Sequence, residues 1–77
     1  KILASFEMHR PAPDYGLTSR EVDVLRELVE GYSQPQIAKR IYISPSTVNS
    51  HVQIIYAKLH VHSRTGAVAK ALRERLV

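Results

Sequence analysis

Four helix-start signals between residues 18 and 63 constrain this sequence more than any other feature. Each is a Ser or Thr whose side-chain oxygen can accept a hydrogen bond from a backbone N–H in the first turn of a helix. The first two are followed three residues later by Glu or Gln, which is the spacing of a capping box. The third is followed by proline, the residue favoured at the first helical position. The four residues are Thr18, Ser33, Ser44 and Ser63.

Apolar residues recur at helical spacing after each of these signals. After Thr18, for example, Val22, Leu25 and Leu28 share one helix face, and Gly31 is placed to end the helix. The pattern predicts helices at about 19–30, 34–40, 45–59 and 64–76, and no strand. The predicted fold class is therefore all-α: a four-helix bundle-like domain whose second and third helices form a helix-turn-helix.

The first part of the chain does not share this pattern. Pro11, Pro13 and Gly16 interrupt any regular helix there, so we interpret residues 1–16 as a linker or the tail of an upstream domain. Residues 17–77 form the predicted domain. Because the first residue is Lys1, we expect a piece of a longer protein. The chain has no cysteine, which excludes a disulfide framework and a thiolate zinc site.

Charge is distributed unevenly along the sequence. Residues 1–31 carry four basic and six acidic side chains, whereas residues 32–73 carry six basic side chains and no acidic one. A segregated basic half is the electrostatic footprint expected of a protein that binds nucleic acid or another polyanion. The alternative is a solvated basic face without a partner. The six basic residues are Lys39, Arg40, Lys58, Arg64, Lys70 and Arg73.

The third predicted helix has two distinct faces. At 100° per residue, its core face holds Val48, Val52, Ile55 and Leu59. Short amide and hydroxyl side chains dominate the opposite face, where Asn and Gln can pair with adenine edges and Ser with either base type. The alternative is an ordinary solvent-facing surface. The residues of this opposite face are Ser46, Asn49, Ser50, Gln53, Ala57 and His60.

A long series of spaced residues carries a family resemblance. It begins with Leu17-Thr18-Ser19-Arg20-Glu21, Val24-Leu25, Gly31-Tyr32-Ser33, Ile37-Ala38, Ile43-Ser44 and Thr47-Val48. It continues through His51, Ile55, Lys58-Leu59, Val61, Arg64 and Ala67-Val68. In these positions the chain resembles the LuxR-type DNA-binding domain, also called FixJ- or NarL-type, which closes many bacterial response regulators and quorum-sensing regulators.

The resemblance implies that the third helix enters the major groove of DNA. The base-reading positions of the family map to Asn49, Ser50 and Gln53. Its backbone-contact positions map to Ser44, Ser46, Thr47, His51, Lys58 and Arg64. The fourth helix is the usual dimerisation surface of the family.

The fourth predicted helix has a pattern compatible with that role. Ala67, Val68 and Ala71 match a core-facing stripe, and a second stripe is available for a partner. The alternative is a single broad core face. The residues of the second stripe are Thr65, Ala69, Leu72 and Leu76.

Two positions depart from the family pattern. Many members have lysine where this chain has Asn49, so we expect an altered DNA site. Pro35 replaces the usual polar residue at the start of the second helix and removes one backbone N–H that could contact phosphate.

Other classes of function find less support in the sequence. His51, His60 and His62 suggest acid–base or metal chemistry, but no carboxylate lies between Glu30 and Glu74 to complete such a site. There is no Gly-rich phosphate loop and no nucleophile elbow. We therefore predict no catalytic activity, no metal, no cofactor and no small-molecule ligand for this domain.

The predicted function is sequence-specific binding of double-stranded DNA by the effector domain of a bacterial transcription regulator. The expected partners are operator DNA, a second copy of the chain and, as a candidate, RNA polymerase. The alternatives are a helical protein–protein interaction module without specific DNA reading and a sigma-factor-like helix-turn-helix. No apolar run approaches the ~20 residues needed to cross a bilayer. We expect a cytoplasmic domain, either free or attached to a membrane-bound regulator.

Overall fold

The computed structural model describes residues 15–77, which contain four helices. These are α1 (Ser19–Glu30), α2 (Gln34–Arg40), α3 (Pro45–Leu59) and α4 (Arg64–Arg73). The described part of the chain contains no strand. The all-α prediction is therefore confirmed, and α1 to α3 have the predicted bounds. Most of the predicted linker, residues 1–14, lies outside the described residues.

All four helices begin at the predicted caps. Thr18 and Glu21 form a reciprocal capping box, with backbone-to-side-chain distances of 3.2 and 2.9 Å. Ser33 and Gln36 form a second one. Ser44 accepts from the Thr47 N–H and Ser63 from the Gly66 N–H, at 3.2 and 3.1 Å. Each cap satisfies an N–H that the helix leaves without a partner, which is worth about 1 kcal/mol.

Three helix ends turn in the left-handed backbone region. Gly31 ends α1 at φ 99°, where its missing Cβ makes the conformation inexpensive, and its N–H donates to the Leu28 carbonyl. His60 ends α3 at φ 59°. Arg75, at φ 57°, lies just beyond the end of α4. The first two of these residues begin the short connections 31–33 and 60–63.

Helix α4 ends at Arg73, earlier than the predicted residue 76. The N–H of Glu74 closes the last turn on the Lys70 carbonyl, and Arg75 then adopts positive φ. The N–H of Leu76 donates to the Ala71 carbonyl at 2.9 Å, and the Leu76 side chain packs against the core. Burial of Leu76 therefore accompanies a turn back toward the domain instead of another turn of helix.

The core lies at the centre of the four helices and is dominated by α3. Helix α3 contacts α1, α2 and α4, and its four core-facing residues are fully buried. Burying each such side chain contributes about 1.5–3 kcal/mol. Because three helices cover one side of α3, its orientation is fixed and its other side faces solvent. The four residues are Val48, Val52, Ile55 and Leu59.

Candidate nucleic-acid interface

One side of α3 is exposed along its whole length. We call this side the reading face and define it as Ser46, Asn49, Ser50, Gln53, Ile54 and Ala57, all of which are exposed. The three predicted base-reading residues lie together on it. None of these six side chains is charged. The reading face therefore offers hydrogen-bonding groups that carry no net charge on a helix whose opposite side is fixed in the core.

Three hydroxyl groups cluster where α3 begins. The Ser44 hydroxyl lies 2.8 Å from Thr47 Oγ1 and 3.2 Å from Ser46 Oγ, and all three residues are exposed. The partial positive charge of the helix N-terminus lies at the same point. Hydroxyl donors beside a helix N-terminus suit a phosphate oxygen. The predicted backbone contacts Ser44, Ser46 and Thr47 are therefore brought together by the helix start.

The turn between α2 and α3 is held by backbone and side-chain hydrogen bonds. The Ile43 N–H donates to the Ala38 carbonyl at 3.0 Å, and Arg20 Nη2 donates to the Ile41 carbonyl at 2.7 Å. Tyr42 lies between them at φ 60° and is 91% exposed. No sequence signal marks Tyr42, because its left-handed conformation accompanies the hydrogen bonds of Ile41 and Ile43 on either side of it.

Lys58 has intramolecular partners. Its Nζ donates to Glu21 Oε1 and to the Gly16 carbonyl, both at 2.7 Å. The hydrogen bond from Lys58 is the main reason that the pKa of Glu21 lies below its usual value; burial opposes it, and the Thr18 N–H and the charges of Lys58 and His51 add to the lowering. Glu21 is buried, with 4% of its surface exposed. Lys58 therefore neutralises a buried carboxylate and links α3 to the start of α1.

Arg64 is engaged in the same way. Its Nη2 donates to the carbonyls of Leu28 and Tyr32, at 2.9 and 2.6 Å. These carbonyls lie in the last turn of α1 and just after it, where a cation is favourable because the helix dipole is negative at that end. The family resemblance places Lys58 and Arg64 at the DNA backbone; in the structure each of them joins two helices.

His51 is partly buried on α3, one helical turn after Thr47. Its Nδ1 is buried without a hydrogen-bond partner among the described residues. His51 therefore borders the interior of the domain.

Several of the basic residues are paired with the domain itself. Arg40 pairs with Glu27 and lies 4.0 Å from the centre of the Tyr32 ring. Lys70 donates to the Leu59 carbonyl at 2.8 Å. Lys39 is exposed on α2, and no ion pair to it occurs within residues 15–77. Ion pairs with Glu27 and Glu21 therefore offset the charges of Arg40 and Lys58, whereas Lys70 keeps its full charge.

Helix α4 has separate buried and exposed sides. Ala67 and Ala71 are fully buried, whereas Thr65 and Ala69 are exposed and Leu72 is 58% exposed. Helix α4 therefore has a core-facing stripe and a second, exposed stripe, and it does not bury both of them in one broad core face. Leu76 does not continue the exposed stripe, because it follows the end of α4 and packs on the core.

The described residues contain no site built for a metal ion. His60 and His62 line a shallow open groove of about 450 Å³ beside the end of α3, together with Gln53 and Tyr56. Within residues 15–77, no group of three or more His, Asp or Glu side chains is placed to hold a metal. None of the four helices is long and apolar enough to cross a membrane.

The sequence and the fold match known bacterial regulators. Residues 15–71 match the family described as "Bacterial regulatory proteins, luxR family". The chain is 49% identical over 61 residues to the "Probable transcriptional regulatory protein NarL" of Mycobacterium tuberculosis, which covers 79% of this chain and 28% of that protein. It is 40% identical over 67 residues to the transcriptional regulatory protein LnrK of Bacillus subtilis, with 87% and 30% covered.

A solved structure has the same arrangement of helices. The response regulator ChrA of a heme-sensing two-component system superposes with a TM-score of 0.77 at 35% identity, covering 99% of this chain and 37% of that one. The chain thus spans less than a third of the length of its NarL and LnrK relatives. These matches confirm the family resemblance that was read from the sequence. They also confirm the prediction that the domain belongs to a regulator, as opposed to an enzyme. The chain belongs to the luxR family of bacterial regulatory proteins.

Proposed function

We propose that the domain binds double-stranded DNA in a sequence-specific manner, with α3 in the major groove. The observation that carries this proposal is the reading face: an exposed, uncharged surface with four amide and hydroxyl side chains, on a helix fixed from behind by three others. An α-helix fits the width of the major groove. In this arrangement Asn49, Ser50 and Gln53 contact base edges, the two amides being suited to adenine.

The phosphate contacts that we propose surround the start of α3. The DNA phosphates accept hydrogen bonds from the hydroxyl groups of Ser44, Ser46 and Thr47. Lys39, which is exposed on α2, adds a positive charge. His51, about one turn after Thr47, and the third N–H of Lys58, in the last turn of α3, remain proposed contacts to the DNA backbone. Arg64 contributes to DNA binding indirectly, because its hydrogen bonds to the Leu28 and Tyr32 carbonyls hold α4 against the end of α1. Such contacts fix the position of α3 on DNA without reading sequence.

We also propose that two copies bind one operator through α4. Thr65, Ala69 and Leu72 provide an exposed side of that helix, and Leu72 is its largest apolar group. By its likeness to transcriptional regulators, the chain would act as the effector part of a larger cytoplasmic regulator, whether free or membrane-attached. RNA polymerase is a further proposed partner of that assembly.

In vitro selection from a random duplex pool tests the proposed function. The chain is fused to a short dimerising coiled coil, so that weak self-association does not hide DNA binding. We expect recovery of a repeated half-site. For two to four released counterions, log K should fall with log salt with a slope of about −2 to −4.

The same experiment separates DNA binding from the alternative function. A helical protein–protein module would use α4 and leave α3 as plain surface. Recovery of no common sequence, or affinity that does not change with salt, would support that alternative and overturn the proposed function.

A further inference from the structure

Ile54 is a large apolar side chain beside Ser50, at one edge of the polar reading face. It is 44% exposed, while the other isoleucine of α3, Ile55, is fully buried. Single exposed hydrophobic residues are common on protein surfaces and alone indicate nothing. Ile54 differs because its place on α3 is inside the surface that the proposed function brings against base edges.

The spacing of the helix defines the neighbours of Ile54. Residues four apart lie one above the other on a helix surface, about 6 Å apart along the axis. The reading face therefore holds two adjacent rows, Asn49 with Gln53 and Ser50 with Ile54, and Ala57 follows at the end. The first row carries two amides. The second row begins with a hydroxyl group and ends in a branched aliphatic group.

The chemistry of the major groove limits what Ile54 can contact favourably. The base edges there present hydrogen-bond donors and acceptors, which lose water without compensation when an aliphatic group covers them. Their one apolar group is the C5-methyl of thymine, which pairs with apolar side chains. An isoleucine on this face therefore favours a base pair with thymine beneath it and disfavours the others.

We propose that Ile54 is a specificity-determining residue that contacts a thymine methyl group in the operator, with Ala57 beside it. This inference rests on the proposed function and adds to it the identity of one base. The thymine lies within two base pairs of the position that Ser50 contacts, since 6 Å is less than two base-pair steps of about 3.4 Å. Burying one methyl group corresponds to about a fourfold gain in affinity.

Replacing thymine by uracil tests this proposal, because the exchange removes only the methyl group. The selected duplex is synthesised with each thymine of a half-site exchanged singly for deoxyuridine, and each duplex is titrated with the wild-type fusion, Ile54→Ala and Val77→Ala. We expect one thymine whose exchange weakens the wild type about fourfold and leaves the affinity of Ile54→Ala unchanged. Val77 is an exposed aliphatic residue outside the reading face, so Val77→Ala should keep the full uracil effect.

Two further measurements keep the test decisive. Ile54→Val should retain part of the uracil effect, and the thermal unfolding midpoint of Ile54→Ala should stay close to that of the wild type because the side chain is exposed. If the uracil exchanges weaken Ile54→Ala and the wild type alike at every position, the proposal is wrong while DNA binding stands. If in vitro selection with the wild-type fusion recovers no common sequence, the proposed function fails as well. The result of the selection therefore distinguishes the two failures.

Discussion

At the residue scale, the Glu21–Lys58 pair links the start of the domain to the proposed DNA-binding helix. Glu21 is buried, caps α1 through the Thr18 N–H and accepts from Lys58 at 2.7 Å. A buried carboxylate without a partner is costly, whereas a paired and hydrogen-bonded one is tolerated. The family resemblance placed Lys58 at the DNA backbone. The contact between Lys58 and Glu21 could not be predicted from the sequence, because the fold alone brings these distant residues together.

Lys58→Met should therefore act mainly on stability. Removing the cation leaves a buried carboxylate, and we expect the free energy of unfolding at pH 7 to fall by about 2–3 kcal/mol in urea titrations. Lys39→Met is the matched control, because Lys39 is exposed and has no ion pair within residues 15–77. Equal stabilities of the two variants would contradict this role.

The pH dependence of stability gives a second readout of the same variant. The pKa of Glu21 is lowered in the folded protein, so its stabilising contribution is present above the unfolded pKa near 4.5 and is lost as pH falls through the folded pKa. In Lys58→Met this loss should shrink, because the main cause of the lowered pKa is gone. An unchanged pH profile below 4.5 would mean that Glu21 does not depend on Lys58.

Tyr42 holds backbone strain at the turn before α3. A bulky residue in the left-handed region costs about 1–2 kcal/mol, and Tyr42 gains little from packing because it is 91% exposed. Tyr42→Gly should raise the free energy of unfolding by about 0.5–1 kcal/mol, since the gain is offset in part by the flexibility of glycine in the unfolded chain. Tyr42→Ala keeps a Cβ and should show no such gain. Equal effects of Gly and Ala would contradict the strain.

At the element scale, all four helix starts and the ends of α1 to α3 could be predicted from the sequence, but the end of α4 and the contacts between helices could not. The caps at Thr18, Ser33, Ser44 and Ser63 use side chains within three residues, so local chemistry determines them. The end of α4 is accompanied by packing of the Leu76 side chain against the core, which is a tertiary contact. Arg64 is another case, because its acceptors lie more than thirty residues away in sequence.

Arg64 should prove to be a structural contact between α1 and α4. Arg64→Met keeps the length of the side chain and removes its donors. The Leu28 carbonyl still receives the Gly31 N–H, so we expect a moderate loss of about 1–2 kcal/mol of unfolding free energy, mainly from the Tyr32 carbonyl. Arg73→Met, in which an exposed residue of α4 is changed, is the control. A loss no greater than that of the control would argue against the contact.

Leu72 is the residue of α4 whose replacement tests the proposed dimer. Leu72→Glu places like charges across a two-fold interface and should remove cooperative binding of the unfused chain to a two-half-site duplex, while single half-sites bind as before. Since Leu72 is 58% exposed, thermal stability should change little. Cooperative binding that survives the substitution would exclude α4 as the dimer surface.

At the scale of the whole molecule, the sequence predicted the fold and most of the reading face, but not Ile54 on that face and not the partners of the cations. Periodicity alone separates the buried and exposed sides of α3, so Asn49, Ser50 and Gln53 were placed correctly on one exposed face. The net charge of +4 does not show which basic side chains can reach a partner, because that depends on the contacts each one makes in the folded domain. Lys58, Arg64 and Lys70 all proved to donate within the domain.

The central claim is that α3 reads base pairs while the residues at its start only position it. The most direct test measures the affinity of Gln53→Ala and Ser46→Ala for the selected duplex and for all of its single base-pair variants. We expect Gln53→Ala to lose discrimination at one base pair, worth about 1–3 kcal/mol, and Ser46→Ala to weaken every duplex by the same factor. If both variants lose affinity equally on every sequence, α3 does not read DNA through this face.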